Sequence, residues 1–125
     1  MKKLNSFNQY LTESVLEQNK KEEVIDAFID DACEYLDIDK PNVEISYDPK
    51  LSSEIGSFGY LDPDNGNIIV VGINRNLADI LRTIAHELVH TKQLLLGEVF
   101  NEDEANSKAA IIVRKFGLEN RYIYE

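Results

Sequence analysis

One cysteine, two histidines and three prolines are all this chain of 125 residues contains of those types, and each scarcity removes a class of structure. Cys33 has no partner for an intramolecular disulfide, and no CxxC pair exists to build a thiolate zinc site, so a reducing compartment is expected. No apolar run reaches the roughly 18 residues that a membrane helix needs. The opening "MKKLNSFNQYLTES" is interrupted by Asn, Ser and Gln, unlike a secretory signal, which makes the cytoplasm the expected location. Cations are outnumbered, 13 Lys and Arg against 23 Asp and Glu. The formal charge of −10 argues against phosphate-backbone binding as the main activity. Neither a nucleic-acid partner nor a membrane is expected. Internal repeats and low-complexity tracts are absent as well.

What is present is a globular composition, 43% hydrophobic and 9% aromatic, at a length that suits one domain with one core beneath a shallow cleft. Residues 1–19 read as a flexible N-terminal segment and residues 20–125 as a single, monomeric domain. From 20 to 36, "KKEEVIDAFIDDACEYL" sets Val24, Ile25, Phe28, Ile29, Ala32 and Leu36 on one helical stripe with acids opposite. Cys33 beside that stripe reads as an inert core thiol. "NVEISY" alternates Val43, Ile45 and Tyr47 as a half-buried strand, and "DPKLSSEIG" reads as loop. Residues 57–72 read as a β-hairpin closed by Asp62-Pro63-Asp64-Asn65-Gly66.

Leu77 to Leu96 carries Leu77, Ile80, Leu81, Ile84, Leu88 and Leu95 at helical spacing, with Asn74 or Asn76 as cap and Gly97 as stop. "NEDEANSKAAIIVRKFG" predicts a second helix, capped by Asn101 with Glu104 as its capping-box partner and ending at Gly117. The order helix, strand, hairpin, helix, helix predicts an α+β fold with an N-terminal helix and a small three-stranded sheet.

Both histidines fall in "TIAHELVHTKQ", four positions apart on the first of these long helices. Residues four apart lie one above the other, so His86 and His90 can present imidazoles to a single ion. Glu87 sits one step round, able to reach a metal-bound water without ligating the metal. A zinc ion lowers the pKa of such a water toward about 7, and the neighbouring carboxylate can take its proton as it attacks a carbonyl. Random placement of the two His and 13 Glu yields this motif in about two shuffles per thousand.

A catalytic zinc needs a third protein ligand and an open position. No histidine remains, so the ligand is an acid after Gly97 or Cys33, which lies on a distant helix. If residues 102–116 are helical, Glu102 shares a face with Ala105, Asn106, Ala109, Ile112, Val113 and Phe116, and small Ala105 and Ala109 let the two helices approach. Glu104 points with Lys108, Ile111 and Lys115 toward solvent. Glu102 is the favoured third ligand and Glu104 the alternative. Asn106, one turn on, is placed to hydrogen-bond a ligand.

These residues resemble the zincin metallopeptidases, and within them the gluzincin branch, whose HExxH is followed by a downstream ExxAD or ExxAN. Here the elements read His86-Glu87-Leu88-Val89-His90 and Glu102-Asp103-Glu104-Ala105-Asn106. The resemblance implies a minimal zincin-like domain holding one Zn²⁺ per chain through His86, His90 and Glu102, with Asn106 supporting the ligands. It implies zinc metalloendopeptidase activity on a protein or peptide substrate, with Glu87 as general base. Residues 56–113 look like the small metallopeptidases encoded by large tailed phages. In zincins a strand lies above the HExxH helix, antiparallel to bound substrate, and "NIIVVG" at 67–72 is the candidate edge strand.

Two departures stand out. The interval from His90 to Glu102 is short, and no downstream His is left to steady an oxyanion, with Tyr60, Arg114, Arg121, Tyr122 and Tyr124 as substitute donors. The opening 14 residues look like the targeting peptides of proteins packaged in phage heads, with Leu11-Thr12-Glu13 as the cleavage site. Two further readings follow. One is an idle zinc-binding structural or host-interaction protein on the same fold, and the other is a peptidase with one dedicated substrate, like the repressor-cleaving enzymes of mobile elements.

Overall fold

The computed structural model describes residues 20–124, so the targeting-peptide reading of the N-terminus lies outside the described residues. Helix α1 covers residues 20–36, and its predicted stripe is its buried face: Val24, Ile25, Phe28, Ile29, Ala32 and Leu36 are all buried, with Cys33 among them. Strand β1 (Val43–Ser46) follows. The segment expected to be loop holds a short helix, α2 (Leu51–Ile55). Five residues are too few to show a 3.6-residue period, and α2 has no side-chain cap. It starts from a turn in which Asp48 Oδ1 accepts the Lys50 N–H at 3.0 Å, and it stops at Gly56.

Strands β2 (Gly59–Leu61) and β3 (Ile68–Val71) form the expected hairpin, antiparallel with Tyr60 opposite Ile69. Its turn is closed by the Gly66 N–H donating to Asp62 O at 2.8 Å and by Asp62 Oδ1 accepting from the Asp64 N–H at 2.9 Å. The sheet order is β1-β3-β2, with β1 parallel to β3 from Val43 opposite Ile68 to Ser46 opposite Val71. This corrects the expected edge strand. "NIIVVG" is the centre of the sheet, paired on both sides, and β1 and β2 are its edges, with β2 the edge strand packed on α3. The uninterrupted run of Ile68, Ile69, Val70 and Val71 suits a central strand, and three of the four are buried.

Helix α3 (Leu77–Leu95) is capped by Asn76, whose side chain accepts the Asp79 N–H at 2.9 Å. It stops at Gly97, whose φ of +70° reverses the chain where a Cβ would be strained. Helix α4 (Glu102–Glu119) is capped by Asn101 and packs on α3, as expected. It does not end at Gly117. That residue is buried within the helix, and Asn120 ends it by donating from Nδ2 to Phe116 O at 3.0 Å. A helical glycine costs about 1 kcal/mol relative to alanine. Burial of neighbouring Phe116 outweighs that, and so does burial of Ile123, carried back onto the core by a 3₁₀ turn at Arg121–Tyr124.

The domain is thus α+β, with four helices and a small three-stranded mixed sheet among the described residues. One continuous core joins α1, β3, α3 and α4, with Phe28 of α1 meeting Phe116 of α4 edge-on at 5.2 Å. None of the described helices is long and apolar enough to cross a membrane.

Candidate metal centre

Helix α3 is apolar on the face it turns to the core, where Ile80, Leu81, Ile84 and Leu88 are wholly buried. The rotation that buries them brings Glu87 and His90 to the floor of a cleft, at 7% and 4% exposure, with His86 one turn nearer solvent. The cleft encloses about 570 Å³ and is walled by edge strand β2 on one side and by the start of α4 on the other.

Across it, Glu102 divides its carboxylate between the two imidazoles: Oε2 lies 2.9 Å from His86 Nε2 and Oε1 lies 3.0 Å from His90 Nε2. The two Nε2 atoms are 3.1 Å apart. Three donor groups therefore converge on one point, the arrangement that can hold a metal ion. The fit can be tested on the spacing. A tetrahedral ion with N and O ligands at about 2.0–2.1 Å keeps its donors about 3.3 Å apart. The two imidazole nitrogens need separate by only a few tenths of an ångström. The Glu102 side chain is 66% exposed, so the cluster is open on its solvent side.

Among the described residues, this is the one group of His, Cys, Asp and Glu side chains so converged, and it is the trio named from the sequence. Glu104, the alternative, is not among the three. It is half-buried rather than turned to solvent, with its Oε1 accepting from Gln93 Nε2 at 2.9 Å and its Oε2 3.7 Å from Lys108 Nζ. Nor does its carboxylate close a capping box. The Asn101 side chain accepts the Glu104 N–H at 3.0 Å, but the Asn101 N–H donates at 3.1 Å to Gln93 Oε1. A buried amide reaches that donor first.

Asn106 lines the cleft but is exposed, and among the described residues no hydrogen bond joins it to Glu102. The amide that does touch a histidine is Gln93, whose Oε1 accepts from His90 Nδ1 at 2.8 Å. Gln93 was not singled out from the sequence, where its one signal is its place three residues after His90 on the same helical face. Phe100 stacks on the face of the His90 ring, with centroids 4.6 Å apart. It immediately precedes the Asn101 cap, where a hydrophobic residue commonly packs back on its helix.

Glu87 points into the cleft beside the cluster. Burial raises its carboxyl above the ordinary range, the two histidines pull it down, and the negative Glu102 pushes it up again. The edge strand passes directly over it. A Cβ on Gly59 would stand 2.7 Å from Thr83 Cγ2 and 3.2 Å from Glu87 Oε1, so only glycine lets β2 approach this closely. At the far end of the cleft Arg75 donates to Val71 O, Asp79 O and Thr83 Oγ1, and its guanidinium lies 4.3 Å from the centre of the Phe58 ring. Of the substitute oxyanion donors, Tyr60 lines the cleft, whereas Arg114 and Arg121 line other surfaces. The side chains of Tyr122 and Tyr124 lie outside those described.

No protein-family model matches the sequence, and no curated protein or solved structure is significantly similar to it.

Proposed function

We propose that this protein is a zinc-dependent endopeptidase, with His86, His90 and Glu102 as metal ligands and Glu87 as general base. The observation that carries the proposal is a carboxylate, Glu87, buried beside a three-donor cluster that is open to a cleft. Two neutral imidazoles and one carboxylate are the donor set of a hydrolytic zinc site, which leaves a fourth position for water. Zinc, when bound, supplies a Lewis acid that polarises the scissile carbonyl and lowers the pKa of water.

Glu87 then takes the proton of the attacking water as its oxygen adds to the carbonyl carbon, and hands that proton to the amide nitrogen as the C–N bond breaks. Burial raises its pKa, which favours proton acceptance by the carboxylate. The substrate backbone has a natural seat on the free edge of β2. Phe58 O and the Asp62 N–H face β3, so the alternating ladder turns the N–H and C=O of Gly59 and Leu61 outward, with the Gly59 carbonyl also accepting from Ser57 Oγ at 2.6 Å. An extended peptide can add there as a further strand, directly over Glu87. Of the donors named from the sequence, Tyr60 is the one that lines the cleft, and it is assigned to the developing oxyanion.

Replacement of Glu87 by Gln tests the mechanism. Zinc content should stay near one per chain, while cleavage of host-lysate proteins falls by at least about a thousandfold, a loss in the range of general-base removal. Cleavage at the parent rate would refute the role of Glu87. A zinc-loaded parent inert toward all proteins offered would instead mark an idle zinc-binding protein.

A further inference from the structure

Gln93 is not among the residues lining the cleft, yet it meets both helices of the candidate metal centre. It is 1% exposed, and its four hydrogen bonds use the full capacity of its amide. Oε1 accepts from His90 Nδ1 at 2.8 Å and from the Asn101 N–H at 3.1 Å. Nε2 donates to Asn101 O at 3.2 Å and to Glu104 Oε1 at 2.9 Å.

This amide cannot be turned over. A backbone N–H only donates, so oxygen must face it, and a carbonyl and a carboxylate only accept, so nitrogen must face them. The group presented to His90 Nδ1 is therefore an acceptor, and Nδ1 must carry the hydrogen. That leaves the lone pair of His90 on Nε2, the atom 3.1 Å from His86 Nε2 and 3.0 Å from Glu102 Oε1. Asn101, held at both its N–H and its C=O, is the cap of α4 and is joined directly to Glu102.

We infer that Gln93 is the positioning residue of the metal centre, fixing His90 in its coordinating tautomer and Glu102 within reach from the neighbouring helix. The inference rests on the metal-site reading above and adds its source of preorganisation. A side chain such as Met would fill the same space without the desolvation penalty of a buried amide. What Gln adds is the orientation of two ligands from two helices, of the kind that outer hydrogen bonds supply to metal sites.

The test combines ¹⁵N NMR of the imidazoles in metal-free protein near pH 8 with zinc affinity by chelator competition, for the parent, Gln93→Met and Gln93→Glu. In the parent, His90 should be protonated on Nδ1. Gln93→Met should lose that preference and bind zinc about 10- to 100-fold more weakly with its fold retained by circular dichroism. Gln93→Glu keeps an acceptor for His90 and so should keep the tautomer, but it loses both donors and should still weaken zinc. Adding Glu104→Gln, which returns a donor to that pair, should recover part of the loss.

A parent His90 protonated on Nε2 and not on Nδ1 would overturn the inference, as would Gln93→Met binding zinc within about twofold of the parent, well short of what the loss of outer hydrogen bonds costs. A parent that takes up no zinc would overturn the metal-site reading instead, a result separable from the tautomer spectrum.

Discussion

Glu87 shows how one buried residue ties stability to chemistry. An acid whose folded pKa is raised opposes folding once it is ionised. The penalty is absent below its unfolded pKa of about 4.3 and grows as pH rises from there toward the folded value. Glu87→Gln removes it. In metal-free protein the variant should equal the parent in urea unfolding near pH 4 and be the more stable of the two at pH 7. A variant less stable at pH 7 than at pH 4, relative to the parent, would mean that the ionised carboxylate is supported and not strained.

Glu102 and Glu104 part company at the same scale. Glu102→Gln removes the one charged donor of the proposed centre and should weaken zinc by more than the roughly 100-fold limit of outer hydrogen bonds. Glu104→Gln, which leaves an oxygen for Gln93, should cost far less. Equal losses would point to Glu104 as a ligand.

At the scale of elements, the helices were far more legible than the sheet. The stripe of α1, the caps at Asn76 and Asn101 and the stop at Gly97 all follow from local periodicity and backbone chemistry. The position of β3 does not, because its parallel pairing with β1 joins segments more than 20 residues apart, and no local pattern encodes which edge stays free. Gln93 escaped notice because a polar residue near a helix end reads as surface. Its burial depends on how the loop after α3 folds back to place Asn101.

Gly59 is a similar case, needed for the closeness of β2 to α3 and not for its own dihedral angles. Gly59→Ala should force β2 off Thr83 and Glu87 and cost about 1–3 kcal/mol in urea unfolding, the usual range for overpacking. A loss of the proposed peptidase activity larger than the loss of stability explains would place this strand in substrate binding. A neutral substitution would show that the strand can shift freely.

For the whole molecule, a single small core supports an open site, and metal is expected to add to a modest stability. His86 and His90 lie on α3 and Glu102 on α4, so an ion held by all three crosslinks two helices that together form half of that core. Binding confined to the folded state stabilises by about 2.7 kcal/mol when zinc is at 100 times its dissociation constant, roughly a 10 °C rise in Tm for a chain of this size. Titrating metal-free protein with zinc while following thermal unfolding therefore tests the site most directly. The account predicts saturation at one ion per chain with a rise of that order, lost in His90→Ala. No uptake, or an equal rise in His90→Ala, would contradict it.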